Sequence, residues 1–242
     1  MSPRARSLVF LAASLVAALG FVRLGLWQLH RLEQRRARNQ PAAVARARPV
    51  VSFDDPVEAA ELFRSGVENR RVRVTGRYDH AAEIVLRGQS EEGVPGVRLV
   101  TPLRPLRGDT AILVQRGFVP SPDAWTITLS ALEEPGVHEV TGIAFLQPDS
   151  GVAGQPAELN GQLTWHRIDL QAIRERLPYP VHAFVLQQLP DPALPSVPRR
   201  DQPPPLTDGP HQSYAIQWFA AALIALVFGG LVGFRRPAAG AQ

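Results

Sequence analysis

Two apolar segments, one near each end of the chain, restrict what the rest of it can fold into. Residues 212–234 carry no charge, and this length suffices to cross a bilayer, because a spanning helix needs about 20 apolar residues. Residues 8–22 are also uncharged, and beyond Arg23 the apolar run continues to Leu29. We therefore predict two transmembrane helices that bracket one water-soluble domain. The predicted spans and the domain between them are residues 7–29, 211–234 and 30–210.

The first segment has an alternative interpretation as a cleaved signal peptide, which begins with basic residues before an apolar centre. Arg4 and Arg6 supply such a start. The apolar region of a signal peptide is usually shorter, however, and this one continues to Trp27, which is placed like a tryptophan at a membrane interface. We interpret the segment as a retained membrane helix.

Arginines near the two spans bear on orientation, because positive charge favours the cytoplasmic side. Two arginines lie in each short tail, at 1–6 and 235–242, and four more follow the first span on its other side. These are Arg4, Arg6, Arg235 and Arg236 in the tails, and Arg31, Arg35, Arg36 and Arg38 after the span. The charge rule applies poorly to long translocated domains, so the arginines of the short tails are better evidence for the orientation than those after the first span. We expect both tails in the cytoplasm and the domain outside it.

The composition excludes several kinds of chemistry. The chain has no cysteine and a single methionine, Met1, which rules out disulfides, thiolate nucleophiles, iron–sulfur ligation and soft Cu(I) sites. All 26 basic residues are arginine, and the formal net charge is +4. The arginines are spread along the domain without interleaved aromatic residues, so proximity to anionic lipid explains them better than nucleic acid does.

Between the spans, a period of two dominates. In seven short runs the apolar residues either alternate with polar ones or stand together, and glycine or proline separates one run from the next. They are residues 71–75, 83–86, 97–101, 111–115, 137–146, 163–168 and 183–189. Six or seven such strands with tight connections predict a mainly β domain, an antiparallel barrel or a sandwich.

Two short helices and two linkers complete the predicted domain. One helix covers residues 56–65, with Asp54 or Asp55 as its N-cap and Gly66 as its end, and the other covers 170–177, after Asp169 and before Pro178. Residues 40–49 are rich in alanine, arginine and proline and are typical of a solvated connector. Residues 190–210 contain many prolines and predict an extended tether into the second span.

No pattern in the domain indicates an enzyme. Phosphate-binding glycine loops, nucleophile elbows and zinc-protease motifs do not occur. The doublets Asp54-Asp55, Glu91-Glu92 and Glu133-Glu134 lie in turn-like sequence, which favours solvated loops over acid–base pairs. The histidines of the domain are widely separated single residues.

The second span carries the residues that most resemble a binding site. His211 lies at its outer end, and Tyr214 and Trp218 follow at helical spacing on the same face. Imidazole is a common metal ligand, and an aromatic ring can form one wall of a flat cofactor site. Histidine and tryptophan are also ordinary interface anchors. Both interpretations remain open at this point.

Small residues continue along the same helix. Ala221, Ala222 and Ala225 form a smooth strip on which a flat macrocycle or another helix could pack. Gly229 and Gly233 form a small-xxx-small pair, which is typical of a helix–helix contact.

The first span contains one charge, and a second lies at its exit. Arg23 is unfavourable in the apolar run unless it pairs with a buried carboxylate, such as a porphyrin propionate, or extends its stem to the interface. Arg31 is a second candidate partner for such a carboxylate.

Five motifs, in this order, resemble the surfeit locus protein 1 family of cytochrome c oxidase assembly factors. They are GLWQLHRL at 25–32, GRY at 76–78, PG at 95–96 leading to TPL at 101–103, VQRGFVP at 114–120 and HQSYAIQWF at 211–219. The similarity is weak over 40–69, 147–162 and the proline tether.

The resemblance implies a non-enzymatic chaperone in a bacterial plasma membrane, with its domain outside the cytoplasm. It implies transient binding of haem, of the a type, and assistance in its insertion into the oxidase's catalytic subunit. The family's haem-linked histidine falls on His211, as the ligand of the haem iron, and its helix tryptophan on Trp218. With Tyr214, Arg23 and Arg31, these residues form the predicted haem site. The implied partners are the catalytic subunit, haem a synthase and membrane lipid, with no nucleic acid.

Two positions depart from the family pattern. Gly209-Pro210 replaces a more polar lead-in, and Gln212 stands where an apolar residue is common. Both flank the histidine, so they bear on exposure of the haem rather than on ligation. Two other functions stay open: a scaffold that holds oxidase subunits through the β domain without haem, and a membrane-tethered domain that binds an extracellular ligand.

Overall fold

The computed structural model describes residues 3–147, 156–159, 162–203 and 205–233. The chain divides into two compact units, which we call the helix unit, Met1–Pro41 with Leu206–Gln242, and the barrel unit, Ala42–Pro205. The predicted cytoplasmic tail with Arg235 and Arg236 lies outside the described residues.

The described elements are four α-helices, nine strands and two short 3-10 turns. In chain order they are α1 (Pro3–Ala47), β1 (Val51–Ser52), α2 (Pro56–Ser65), β2 (Arg71–Tyr78), a turn at His80–Ala82, β3 (Ile84–Glu91), β4 (Val94–Pro105), β5 (Ala111–Pro120), a turn at Leu129–Leu132, β6 (His138–Leu146), β7 (Ala157–Leu159), β8 (Gln162–Trp165), α3 (Leu170–Arg176), β9 (Val181–Gln188) and α4 (His211–Gly233).

In the helix unit, α1 and α4 run antiparallel and lie against each other. A Cβ atom added to Gly25 would lie 2.6 Å from the ring of Phe219, and one added to Gly229 would lie 2.5 Å from the Cβ of Ser14. These close approaches pair the C-terminal part of the first span with the start of α4, and its N-terminal part with the end of α4. Both helices are long and apolar enough to cross a membrane.

Buried residues at every seventh position create this seam, and all but one of them are alanine or glycine. On α1 the buried positions are Ala18, Gly25 and Leu32, and on α4 they are Ala215, Ala222 and Gly229. A spacing of seven returns to the same side of a helix after two turns, so each set forms one line. In lipid, helices associate through close packing of small side chains, because lipid tails are as apolar as the helices themselves. The strip at Ala222 therefore packs a helix.

The predicted connector at 40–49 is wrong over most of its length, because α1 continues to Ala47. Residues 33–46 are mostly alanine, arginine, glutamine and glutamate, all good helix formers, and they outweigh the single Pro41 inside the helix. One proline among good helix formers is therefore not enough to end a helix.

The barrel unit confirms the mainly β prediction and is a barrel rather than a sandwich. The prediction that it is antiparallel is wrong in part, because β5 pairs with β9, β3 with β8 and β1 with β2 in parallel. Its nine described strands form one sheet in the order β1-β2-β6-β9-β5-β4-β3-β8-β7, and β2 also pairs with β4. The long strand β4 makes this closure possible, because its start pairs with β3 and its end, at Leu103 to Pro105, pairs with Tyr78 to Gly76 of β2. All seven predicted strands are present. The additional β1 and β7 have two and three residues, too few to show a period.

Side-chain alternation along the strands divides the core in two. Val72 and Val74 of β2 pack with Ile112 and Val114 of β5 inside the barrel, together with Leu62 of α2. The alternate residues of β5, Ala111 and Leu113, face a second cluster with Leu170 and Ile173 of α3. Strand β5 is consequently buried on both faces.

Both predicted domain helices are capped as expected. Asp55 is the N-cap of α2, since its Oδ1 accepts hydrogen bonds from the backbone N–H groups of Val57 at 2.8 Å and Glu58 at 3.3 Å. Asp54, the other candidate, instead accepts a bond from the backbone N–H of Thr75. Asp169 caps α3 through the N–H of Ala172.

The predicted extended tether is only partly correct. Residues 190–203 contain no helix or named strand, but the part at 195–201, which we call the strap, packs on the barrel unit. Arg199 exchanges two backbone hydrogen bonds with Phe118 of β5, of 2.7 and 2.9 Å. Arg200 is buried, so this segment is a component of the domain rather than a solvated linker.

Candidate functional site

His211 is the first residue of α4 and is half-buried. Its ring nitrogen Nδ1 lies 2.8 Å from Oε1 of Gln28 on α1. An amide oxygen can only accept, so this contact places the imidazole proton on Nδ1. The other nitrogen, Nε2, then carries the lone pair, and it has no hydrogen-bond partner in the described part of the chain.

The residue next to Nε2 of His211 is a glycine, Gly209, which has no side chain. Gly209 has φ +71°, a conformation that favours glycine, and a Cβ added there would lie 3.8 Å from Nε2 of His211. The same Cβ would lie 3.8 Å from Nε of Arg35. Any side chain at position 209 would therefore narrow the space between the imidazole and this guanidinium. The Gly209-Pro210 lead-in, which departs from the family pattern, leaves that space open.

Three polar residues of α1 fix the lead-in to α4. Arg35 donates from Nε to the carbonyl oxygen of Thr207 at 3.0 Å, and Asn39 donates to the same oxygen at 3.0 Å. Arg36 forms an ion pair with Asp208 at 2.8 Å. These contacts position the residues immediately before His211.

Trp218 lies at the seam rather than on a free face. Its ring stacks on Phe21 of α1 with centroids 5.7 Å apart and planes 22° apart. His211 and Trp218 are seven residues apart and so lie on the same side of α4 as the buried Ala215 and Ala222. Tyr214 is exposed on the flank. The structure brings His211 and Trp218 onto the face of α4 that meets α1.

The structure does not bring Arg23 or Arg31 to His211. Arg23 is two residues from Gly25, about 200° around the helix, and it is exposed on the side of α1 away from α4. Arg31 is also exposed, with its guanidinium 5.8 Å from the centroid of the Trp27 ring and a 3.3 Å hydrogen bond to Gln34. The arginine near His211 is Arg35.

The barrel unit contains a second polar cluster, built around Arg116 of β5. The Arg116 side chain is fully buried and pairs with Glu83 at 2.9 Å and with Glu134 at 2.8 Å. Glu134 also pairs with Arg200 of the strap, and Arg200 in turn bonds the carbonyl oxygens of Pro195 and Pro198 at 2.9 Å. We call Arg116, Glu83, Glu134 and Arg200 the barrel ion network. It fastens the strap to the barrel.

Burial and charge alter the acid–base properties of this network. Burial by itself would raise the pKa of Glu134, but the hydrogen bonds and charges of Arg116 and Arg200 hold that pKa below its usual value. Burial raises the pKa of Tyr78, whose ring lies 5.1 Å from the Arg116 guanidinium carbon. The Glu134 carboxylate is thus ionised and paired with two arginines, which suits a structural role.

Sequence reasoning missed this network, and for Glu134 it was wrong. Glu134 was expected in a solvated loop, but its side chain is only 7 % exposed. A signal was present in Val114, Arg116 and Phe118, because the strand period places Arg116 on the same side as two core residues. Glu83 and Arg200 offered no local signal.

The domain histidines are structural or exposed, as expected for single residues. Nε2 of His80 accepts a hydrogen bond from the backbone N–H of Glu134 at 3.0 Å, and His182 packs between the rings of Phe63 and Phe184. His166 is exposed. Within the described ranges, no three histidine, aspartate or glutamate side chains come together as a metal site.

Comparison with known proteins gives a consistent result. The model of the SURF1 family matches residues 15–223. The chain is 28% identical over 225 residues to a SURF1-like protein of Monosiga brevicollis, covering 84% of this chain and 79% of the relative. It is 28% identical over 168 residues to surfeit locus protein 1 of Takifugu rubripes, covering 62% and 67%, and 27% identical over 168 residues to that of Xenopus tropicalis, covering 63% and 53%.

Proposed function

The chain belongs to the SURF1 family, and on that premise we propose that it is a membrane assembly factor for cytochrome c oxidase. It binds haem a at the outer end of the helix unit and assists its insertion into the catalytic subunit. His211 is the ligand of the haem iron. The protein carries the haem as cargo and catalyses no reaction on it.

One observation carries this proposal: the imidazole of His211 is held by Gln28 through Nδ1, while Nε2 has no hydrogen-bond partner among the described residues. Metal-ligating histidines nearly always have their second nitrogen hydrogen-bonded in this way, because the bond fixes the tautomer and the ring orientation. A single neutral imidazole cannot make a bare metal site, but it is a common axial ligand of haem, whose porphyrin supplies the other four nitrogens.

The surroundings of Nε2 fit a large anionic cargo. Gly209 leaves the backbone bare beside it, and the Arg35 guanidinium lies at the same place. Arg35 uses Nε for Thr207, and its terminal nitrogens have no hydrogen bond to any described residue, so they can pair with a carboxylate such as a propionate. Arg35 therefore replaces Arg23 and Arg31 as the expected propionate partner. Trp218, two helical turns further along α4, and Tyr214, on the flank of the helix, would contact the porphyrin.

A visible spectrum tests the ligand assignment. The full chain is purified in detergent from cells that synthesise haem a, alongside His211→Ala and the matched control His166→Ala, which alters an exposed histidine of the barrel unit. We expect a Soret band in the wild type and in the control, and none in His211→Ala. All three proteins should remain in the membrane, because Pro210 needs no N–H at the helix start.

The same experiment separates the two main candidate functions. A His211→Ala protein that retains its full haem content would overturn the ligand assignment. If none of the proteins, including the wild type, carries haem, the scaffold function without haem is the better account.

We place the protein in a bacterial plasma membrane with the barrel unit outside the cytoplasm, where it meets the oxidase catalytic subunit, haem a synthase and lipid. Support comes from the two helices of sufficient length and from the arginines of the short tails. Reporter fusions after Arg48 and after Arg236 should report opposite sides. A fusion after Arg48 that reports the cytoplasm would contradict this orientation.

A further inference from the structure

The pairing of the two spans fixes the depth of Arg23 along α1. Gln28 of α1 faces His211, the first residue of α4, at 2.8 Å, and α4 carries no charged residue from 212 to Gly233. The apolar layer around the helix unit therefore ends at about the level of Gln28. Arg23 lies five residues before Gln28, about 7.5 Å deeper along the helix axis. Its charge is thus on the lipid side of this boundary, where an unpaired arginine is unfavourable.

The charge of Arg23 is not balanced within the helix unit. Arg23 has no hydrogen bond or ion pair with any described residue. The described carboxylates of this unit are Glu33 and Asp208, and Asp208 is already paired with Arg36 at 2.8 Å. Glu33 lies ten residues beyond Arg23, about 15 Å further along the helix. The described part of the unit therefore offers Arg23 no counter-charge.

A second arginine lies on the same side of α1. Arg23, Trp27 and Arg31 are exposed and four residues apart, so they follow one another along one side of the helix at intervals of about 6 Å. Helix side chains lean towards the N-terminus, and the guanidinium carbon of Arg31 lies 5.8 Å from the centroid of the Trp27 ring. Arg31 donates from Nη1 to Gln34 at 3.3 Å, and its Nη2 has no hydrogen bond to a described residue. Arg23 reaches the level of Trp27 when its stem extends towards the interface.

The surface of α1 below these arginines is aliphatic and uncovered. Leu19 and Val16, one and two turns deeper than Arg23, are 61 % and 70 % exposed. A Cβ atom added to Gly20 would meet nothing within 4 Å, so no described side chain covers this side of the helix. The face therefore offers apolar contacts for acyl chains directly beneath two cationic groups.

From the two arginines that flank Trp27, the missing counter-charge and the aliphatic surface beneath, we infer that α1 binds an anionic phospholipid. The lipid phosphate accepts hydrogen bonds from Arg23 and Arg31, because a guanidinium matches the geometry of a phosphate. The acyl chains lie on Val16 and Leu19. A headgroup without an ammonium, as in phosphatidylglycerol, is preferred, because two guanidiniums repel the cationic part of phosphatidylcholine.

This site lies on the side of α1 away from α4, so it does not depend on the proposed haem function. Native mass spectrometry of the delipidated full chain tests it. Phosphatidylglycerol and phosphatidylcholine with the same acyl chains are titrated separately, and the fraction of protein that carries one lipid gives the affinity. We expect phosphatidylglycerol to bind about fivefold more tightly or better. Glycerol phosphate in excess should not displace it, because it lacks the acyl chains. Equal affinity for the two lipids, or displacement by glycerol phosphate, would overturn the inference.

Three variants locate the site. Arg23→Gln and Arg31→Gln should each weaken the binding of phosphatidylglycerol about fivefold, the usual contribution of one arginine near an anionic membrane surface. Arg38→Gln is the matched control, because Arg38 is exposed on the same side of α1 but lies about 10 Å beyond Arg31, and its Nε donates to the carbonyl oxygen of Gln34 at 3.3 Å. This variant should bind the lipid like the wild type.

Two results with these variants would overturn the inference. An equal loss of affinity in Arg38→Gln would mean that the lipid responds to positive charge in general and not to a site. Unchanged affinity in Arg23→Gln would leave a carboxylate on a partner membrane helix as the better counter-charge for Arg23.

Discussion

The barrel unit encloses the barrel ion network of Arg116, Arg200, Glu83 and Glu134, whereas the helix unit has mostly alanine and glycine along its seam and has its interhelical polar contacts at one end. In the barrel, four charged side chains from separate segments meet and neutralise one another. In the helix unit, the polar pair His211–Gln28 links two helices and leaves one ring nitrogen without a hydrogen-bond partner in the part of the chain that the structure describes.

The difference follows from the solvent that each unit faces. In water, burial of apolar side chains provides a driving force large enough to carry a paired charge network inside a core. In lipid, no hydrophobic force draws two helices together, so close contact of small residues must do it. The barrel ion network is therefore a structural device, and the half-satisfied histidine is the better candidate for binding.

The largest effect should come from breaking the barrel ion network. Arg116→Met keeps much of the side-chain volume but leaves Glu83 buried without its main counter-charge. Removing one partner of a buried pair typically destabilises a fold by about 3–5 kcal/mol, so we expect the Tm of the barrel to fall by roughly 10 °C. Calorimetry of the full chain in detergent measures this change. Arg77→Met, an exposed arginine on β2, should shift the Tm little, and equal shifts in both variants would refute a structural role for the network.

A smaller effect should come from overfilling the seam. In Gly229→Val the new side chain meets the Cβ of Ser14, which cannot rotate away, so the helices must separate at a typical destabilisation of about 1–3 kcal/mol. Gly230→Val is the matched control, because a Cβ there meets nothing within 4 Å.

The natural absence of cysteine gives this prediction a direct readout. With Ser14→Cys as the single thiol, maleimide labelling in detergent should be slow beside Gly229 and faster in the Gly229→Val variant. The Gly230→Val control should label as slowly as the parent. No change in Gly229→Val would mean that the seam is not close-packed in the protein.

Removing the support of His211 should weaken the site without destroying it. Gln28→Leu deletes the acceptor of the Nδ1 bond, and loss of such second contacts typically lowers metal affinity 10–100-fold. We expect haem to be lost about ten times more readily in a competition with apomyoglobin, with the Soret band still present. Gln34→Leu, whose side chain bonds His30 on α1, should match the wild type. Complete loss of the band in Gln28→Leu would show that the contact is needed for folding of the site rather than for its tuning.

The smallest effect concerns pH and the strap. Burial and the neighbouring Glu91 raise the pKa of Asp201 to about 6, above its ordinary value of 3.8. A carboxyl group with a raised pKa contributes stability that is full below about pH 4 and is lost as the pH rises through about 6.

Asp201→Asn removes this titration. Between pH 5 and pH 7 the wild-type Tm should decline by on the order of 1–2 °C more than that of the variant, whereas Asp109→Asn, in an exposed turn, should follow the wild type. If Asp201→Asn has the same dependence of Tm on pH as the wild type, the Glu91–Asp201 pair does not cause that dependence.

Local patterns in the sequence determined much of the fold. The cap of α2 at Asp54 or Asp55, the cap Asp169, the end of α2 at Gly66 and the alternation of β2 are all visible within ten residues, because capping and strand period are properties of neighbouring residues. The two membrane spans follow from length and the absence of charge. The position of His211 at a helix start was predictable for the same reason.

Contacts between distant segments were decided by the tertiary structure alone. Glu83, Arg116 and Glu134 come from three parts of the chain, and 183 residues separate His211 from Gln28. No period or motif encodes which arginine meets which glutamate, because that depends on the closure of β2 on β4 and on the path of the strap. The sequence by itself indicated His211 as the candidate ligand. Only the packing of α1 against α4 showed which of its nitrogens is held, and that Arg35, rather than Arg23 or Arg31, lies beside the other.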